Sequence, residues 1–391
     1  MPIVVRHSFG FERLLTVWAT REQNLLYITL CNEIDCVLTY TQSFTINGQS
    51  MWAEPNDFKQ ILASRAGFFV ILPHVYHDGN IYNHIAHIQI LKNGNGRITA
   101  WHGESYDIHE IKAYDTKSDI LTFTSAGGAI GTMQLYKVSN ANKLLEGADE
   151  THIPFDLPEL SFELMELPSN YGKSDRSWEV DHFATLRLNS LSEAHVGIMK
   201  PPMFDPTMKY PLLVDVYGGP NSFRVRRVTP NPNMIYFSSH LNAIVVWIDG
   251  RGTSNRGWNL KSPVYKALGQ YETQDTIDAV KLLISKYSYI DEQRVAIFGW
   301  SYGGFVSTYA GILDQGKTFK CAIAVAPVTD FMLYDNVHFQ NSALLSETLQ
   351  AELVHFTQLV YSNQDHNIGT RQAHLLMEID RFLTNECFND I

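Results

Sequence analysis

Gly299-Trp300-Ser301-Tyr302-Gly303 follows directly on the short apolar run Arg294-Val295-Ala296-Ile297-Phe298. A strand that ends in Gly-x-Ser-x-Gly and turns into a helix presents its serine on a strained corner, so only small residues fit two positions to either side. The serine Oγ then stands clear of the sheet at the N-terminus of the next helix. Backbone N–H groups and the helix dipole there favour a developing oxyanion. A glycine-rich connection that merely contains a serine would show the same five residues. The surrounding pattern decides between the two.

Outward from this stretch, apolar strands alternate with a helical period. Tyr210-Pro211-Leu212-Leu213-Val214-Asp215-Val216-Tyr217 is a buried strand stopped by Gly218-Gly219-Pro220, and Ala243-Ile244-Val245-Val246-Trp247-Ile248 is another, followed by Asp249-Gly250-Arg251-Gly252. A helix is expected over 271–287, with Ile277, Val280, Leu282, Leu283 and Ile284 on its apolar face, and a further strand at Ala322-Ile323-Ala324-Val325-Ala326. Such alternation means a parallel sheet covered on both faces. With the strand-serine-helix turn, it predicts an α/β-hydrolase domain over 175–391.

The first part of the chain reads differently. Runs such as Leu14-Leu15-Thr16-Val17-Trp18, Leu25-Leu26-Tyr27-Ile28-Thr29-Leu30, Phe68-Phe69-Val70-Ile71-Leu72, Ile85-Ala86-His87-Ile88-Gln89-Ile90 and Ile120-Leu121-Thr122-Phe123-Thr124 recur without helical period. Turn residues lie between them at Asn47-Gly48, Asn93-Gly94-Asn95-Gly96 and Gly127-Gly128. That spacing fits a sandwich, a barrel or propeller blades over 1–165. Residues 150–200, with Pro154, Pro158 and Pro168, read as an irregular junction.

Composition bounds the function. With 391 residues, two or three domains are expected. A net charge of −11 argues against nucleic acid and anionic membranes as partners. The start, Met1-Pro2-Ile3-Val4-Val5-Arg6-His7, lacks the pattern of a signal peptide, and no window has the length and hydropathy of a membrane span. Cys31, Cys36, Cys321 and Cys387 then default to reduced thiols, and their spacing suits no zinc site. No cofactor is implied.

A nucleophilic serine needs a base to take its proton and an acid to orient the base, in the chain order Ser, Asp or Glu, His for this fold. Of His338, His355, His366 and His374, the best base is His366. It lies in the polar loop Tyr361-Ser362-Asn363-Gln364-Asp365-His366-Asn367, after the strand-like Gln358-Leu359-Val360 and before a C-terminal helix. The stretch from Ser301 to His366 is too short to hold every expected strand and helix. No second apolar strand follows Ala326-Pro327-Val328-Thr329-Asp330 before a helix starting near Asn341, which leaves Asp330 and Asp335 as the available acids.

Taken together, Lys209 to Pro220, Asp249-Gly250-Arg251-Gly252, Gly299 to Gly304, Asp335-Asn336-Val337-His338-Phe339-Gln340 and Asp365-His366 resemble the dipeptidyl peptidase IV branch of the prolyl oligopeptidase family. That family pairs a β-propeller with the hydrolase domain, so the resemblance implies a partial propeller in the first half. It further implies Ser301 as nucleophile, His366 as base, and the Tyr302 N–H with the Tyr217 hydroxyl as oxyanion hole. Tyr302, Val328, Phe331, Tyr334 and Val337 would form a flat apolar pocket for proline, and Asn336 would donate to a substrate carbonyl. Cys321 and Cys387 match a disulfide pair, which implies an oxidising compartment, extracellular or membrane-associated, and the resemblance implies a peptide substrate and a homodimer as in relatives.

The departures carry equal weight. Where the family places a whole strand and then its triad acid, Leu333-Tyr334-Asp335 runs straight into Asn336-Val337-His338, so Asp335 must serve two readings at once. The early blades, a Glu-Glu pair that would grip a substrate amine, an anchor and Asn-x-Ser/Thr sequons are not found. The expectation is a serine dipeptidyl peptidase, cleaving Xaa-Pro or Xaa-Ala from peptide N-termini, with a strand missing and impaired activity. The alternatives are a catalytically inactive binding or regulatory homologue, and a general esterase.

Overall fold

The computed structural model describes residues 5–8, 13–54, 57–126, 130–139, 141, 153–154, 182–188, 193–331 and 339–389. The chain divides into two compact units. The first is Met1–Gly172 with Ser254–Tyr265, and the second is Lys173–Thr253 with Lys266–Ile391. The short excursion Ser254–Tyr265 thus interrupts the stretch expected to be hydrolase throughout.

Unit 1 is built of four-stranded antiparallel sheets. The first joins β1 (Val5–Ser8), β2 (Leu14–Ala19), β3 (Leu25–Cys31) and β4 (Cys36–Ser43) in chain order. A small hairpin, β5 (Thr45–Ile46) and β6 (Gln49–Ser50), turns on Asn47 and Gly48, both at positive φ. The second sheet holds β7 (Leu62–Ala63), β8 (Gly67–Val75), β9 (Ile81–Ile90) and β10 (Gly96–His102). The third holds β11 (Ile108–Asp115), β12 (Ile120–Ser125), β13 (Gln134–Ser139) and β14 (Ile153–Pro154). Each is an up-and-down sheet of the size of a propeller blade, and together they make the partial propeller. β8 and most of β9 are buried on both faces, and on one of them Phe69, Ile71 and Ile85 form a core with Ile108, Leu121 and Phe123 of the third sheet. Continuous apolar runs are what such burial demands.

Unit 2 begins with an antiparallel pair, β15 (His182–Arg187) and β16 (Glu193–Met199), inside the region read from sequence as an irregular junction. The signal was there in Ala194, Val196 and Ile198, which alternate and are all buried. The chain continues through β17 (Tyr210–Val216), α1 (Pro232–His240) and β18 (Ile244–Asp249), then crosses to unit 1 for α2 (Trp258–Lys261). It returns for α3 (Tyr271–Lys286), β19 (Ile290–Trp300), α4 (Tyr302–Asp314), β20 (Cys321–Val325), α5 (Phe339–Ala351) and α6 (Gln372–Phe382). The sheet order is β15-β16-β18-β17-β19-β20, with β18, β17, β19 and β20 parallel. β17, β18 and the apolar end of β19 are buried and pack on Ile277, Val280 and Leu283 of α3 and Val306 and Ala310 of α4.

Two expectations are corrected. Gln358-Leu359-Val360 is not a strand: residues 354–360 are irregular, with Leu359 45% and Val360 59% exposed. A strand needs a neighbour to take its backbone bonds. Among the described residues the sheet ends at β20, itself only partly buried, so nothing in it pairs this segment. Cys31 and Cys36 are not free thiols either, since they pair with each other across β3 and β4, while Cys321 pairs with Cys387 as the resemblance implied. Among the described residues no helix is long and apolar enough to cross a membrane.

Candidate active site

Ser301 closes β19 and caps α4, at φ 60° and ψ −119°. This left-handed conformation is costly for a residue with a Cβ and persists only where the surroundings hold it. Here they do. The Ser301 N–H donates to Val325 O of β20 (2.9 Å), and its carbonyl accepts from Phe305 N (3.1 Å) in α4. The flanking glycines are required by close approach. A Cβ on Gly299 would meet Gly303 O at 2.0 Å, and one on Gly303 would meet Val216 O at 2.2 Å. The five-residue pattern is therefore a true elbow.

Strand register delivers the neighbours. Val216 of β17 stands opposite Gly299 of β19, so Tyr217 leaves the sheet beside the elbow. Trp300 pairs with Val325 of β20, which brings Val328 alongside, its N–H 3.4 Å from Ser301 O. Both sites lie at the C-terminal ends of parallel strands, where open α/β sheets bind ligands. The rings of Tyr217 and Tyr302 are 6.2 Å apart, and Phe331 lies 6.3 Å from Tyr302 and 5.2 Å from Phe305. Tyr217, Tyr302, Val328 and Phe331 thus gather around the elbow, with Tyr302 and Val328 themselves buried.

The His366 loop reaches the same place. Trp300 Nε1 donates to the His366 carbonyl (3.1 Å), fixing the loop against the residue before the serine. The imidazole Nδ1 is buried and has no hydrogen-bond partner among the described residues. Asp365 therefore does not orient it; its carboxylate accepts instead from Asn367 N (2.9 Å). Asp330, one of the two acids the sequence offered, does not bond the Nδ1 either. Asp335, Tyr334, Asn336 and Val337 lie outside the described residues. His374 lies in α6, is exposed, and bonds the Tyr361 hydroxyl (2.9 Å).

A cavity of about 580 Å³ opens beside the nucleophile, with Ser301, Trp300 and Tyr217 in its wall, Arg224 and Asp215 on a polar side, and Met234 and Leu375 on an apolar one. Asp215 is buried and neutralised in place: it accepts from the Arg224 guanidinium and from Trp247 Nε1 (2.7 Å). Asp249 accepts the backbone N–H groups of Arg224 and Val225 (both 2.8 Å), tying that loop to the end of β18.

Sequence reading missed two buried carboxylates on α3. Asp275 grips Arg251 through its backbone N–H (2.8 Å) and its guanidinium, which holds the Arg251 charge and raises its pKa. Glu272 accepts from the Tyr302 hydroxyl and from Gly269 N (2.6 Å). Both sit among polar neighbours in Tyr271-Glu272-Thr273-Gln274-Asp275, so the helical apolar period gave no sign of their burial.

Comparison with known proteins agrees with this geometry. The profile of the prolyl oligopeptidase family matches residues 231–337, and that of the dipeptidyl peptidase IV N-terminal region matches residues 5–154. Dipeptidyl peptidase family member 2 of Caenorhabditis elegans is 34% identical over 482 residues, covering 97% of this chain and 56% of that protein. Prolyl endopeptidase FAP of Homo sapiens is 37% identical over 236 residues, covering 48% of this chain and 31% of that protein. The crystal structure of Porphyromonas gingivalis dipeptidyl peptidase 4 superposes with a TM-score of 0.76 at 21% identity, over 95% of this chain and 62% of that one, a likeness of fold. The chain spans little more than half the length of the relatives that match it end to end. With a blade-built first unit, a serine elbow in the second and both family profiles in the expected order, the chain belongs to the dipeptidyl peptidase IV branch of the prolyl oligopeptidase family.

Proposed function

We propose that this chain is a serine peptidase of dipeptidyl peptidase type, working on Xaa-Pro or Xaa-Ala peptide N-termini at a much reduced rate. The observation that carries the reading is the strained elbow, which holds Ser301 at the head of α4. In this reading Ser301 Oγ attacks the scissile carbonyl while His366 takes its proton. The Tyr302 N–H and Tyr217 hydroxyl receive the oxyanion. His366 then protonates the leaving amine, and water resolves the acyl-enzyme by the same steps in reverse. Val328 and Phe331, with Tyr302, offer the flat wall that a proline ring requires. Tyr334, Asn336 and Val337 are assigned to the substrate pocket, and Asp335 to the triad, by resemblance alone.

The reduced rate rests on the His366 Nδ1, which no described residue orients. Loss of the orienting acid costs such triads about 10⁴ in turnover, while the nucleophile and oxyanion hole retain residual activity. Turnover of an Xaa-Pro chromogenic peptide, beside Ser301→Ala and a full-length relative, tests both parts. The expected result is slow cleavage that vanishes in Ser301→Ala. A rate within about tenfold of the relative, only ~1.4 kcal/mol in barrier, would overturn the impairment. Cleavage that survives in Ser301→Ala would overturn the site, and none at all would leave the inactive binding homologue. The two disulfides support an oxidising, extracellular setting, and light scattering tests pairing of two copies.

A further inference from the structure

Glu272 is 3% exposed, in the first turn of α3. Its Oε1 accepts from the Tyr302 hydroxyl and from Gly269 N (2.6 Å), while Oε2 is buried with no hydrogen-bond partner among the described residues. A Cβ built on Gly218 would lie 3.7 Å from Glu272 Cγ, so the stem of the side chain packs under the turn that follows Tyr217. One carboxylate therefore touches both halves of the proposed oxyanion hole: the residue whose N–H is one donor, and the turn that carries the other.

A buried carboxylate with an idle oxygen is an expensive choice. Tyr302 and Val306 near it belong to an apolar core, where a leucine would carry no cost for burying a charge. What leucine cannot do is hold the Tyr302 hydroxyl. That hold matters because Ser301 sits at φ 60°, and a strained corner keeps its shape only if its neighbours over-determine it. Tyr302 is the first residue of α4 after the corner. Anchoring its ring at the far end fixes the direction of its N–H and the face it shows to Phe331.

We propose that Glu272 is a positioning residue of this site, locking Tyr302 and the Tyr217–Gly218 turn so that both oxyanion donors converge beside Ser301. The proposal rests on the serine-peptidase reading above and adds a residue to it.

The test combines the rate of Ser301 labelling by a fluorophosphonate with amide hydrogen exchange across residues 299–305. Glu272→Leu and Tyr302→Phe should each slow labelling at least about tenfold. The double variant should be no slower than the slower single, since residues acting through one contact are not additive. Glu272→Gln keeps an acceptor for the phenol and should label within about threefold of wild type, as expected when the contact and not the charge matters. Exchange across 299–305 should quicken in Glu272→Leu and not in Glu272→Gln. Wild-type labelling in Glu272→Leu, or losses that multiply in the double variant, would overturn the proposal. If wild type itself does not label, the peptidase reading falls separately. Exchange then decides: quickening in Glu272→Leu upholds the lock, and unchanged exchange overturns it. Should Glu272→Leu fail to fold, Tyr302→Phe, which removes a single oxygen, carries both measurements.

Discussion

Gly303 has no side chain because Val216 O would stand 2.2 Å from its Cβ, and Ser301 is held at positive φ by the bonds that this close approach permits. Gly303→Ala must push the elbow off β17. The expected cost is about 1–3 kcal/mol of stability, the range of overpacking, read from urea unfolding, together with loss of labelling at Ser301. A variant as stable and as reactive as wild type would show that the turn has slack. At Asp275, which is fully buried, the chemistry is a charge pair with Arg251. Asp275→Ala strands the guanidinium and frees the Arg251 backbone N–H, so a loss of about 3 kcal/mol is expected in the same experiment.

At the scale of elements, β20 is tied to Cys387, just after α6, by the Cys321–Cys387 disulfide, which spans a sequence separation of 66. Cutting a loop of that length releases about 4 kcal/mol of unfolded-state entropy. Cys387→Ser should therefore lower the thermal midpoint of unit 2 strongly, and an unchanged melt would contradict that role. In the second sheet, His87 is pressed between the Ser64 hydroxyl on Nε2 (2.7 Å) and the Thr99 hydroxyl on Nδ1 (2.6 Å). Burial, with His102 nearby, pushes its pKa down to about 4. The sign follows from the depressed value. His87 is neutral when folded, so its contribution is complete above the ordinary histidine pKa near 6.5 and is lost as pH falls from there toward 4. Stability of the blades, followed by circular dichroism, should decline across that window, and His87→Gln should flatten the decline.

Across the whole molecule, the legible parts of the sequence were those where burial forces a repeating pattern. The buried strands of both units, the elbow and the order of domains all announced themselves in apolar runs and in glycines. The β15–β16 pair was hidden because its alternation is short and set among prolines and polar residues. The Cys31–Cys36 pair was misread because a chain without a visible secretory signal defaults to thiols. Gln358-Leu359-Val360 has strand composition but no described neighbour to pair with, and composition cannot see a missing neighbour. The match to the C. elegans protein runs over 482 positions against a chain of 391 residues, so that relative has positions inside the matched region with no counterpart here. Among the described residues the sheet ends at β20 and no side chain orients His366.

The central claim is that Ser301 stands on a folded elbow as an activated nucleophile, although no described residue orients His366. Fluorophosphonate labelling of the purified chain, beside Ser301→Ala, tests it most directly. The account predicts slow labelling confined to Ser301 and absent from the variant; no labelling of the wild-type chain, or equal labelling of both, would contradict it.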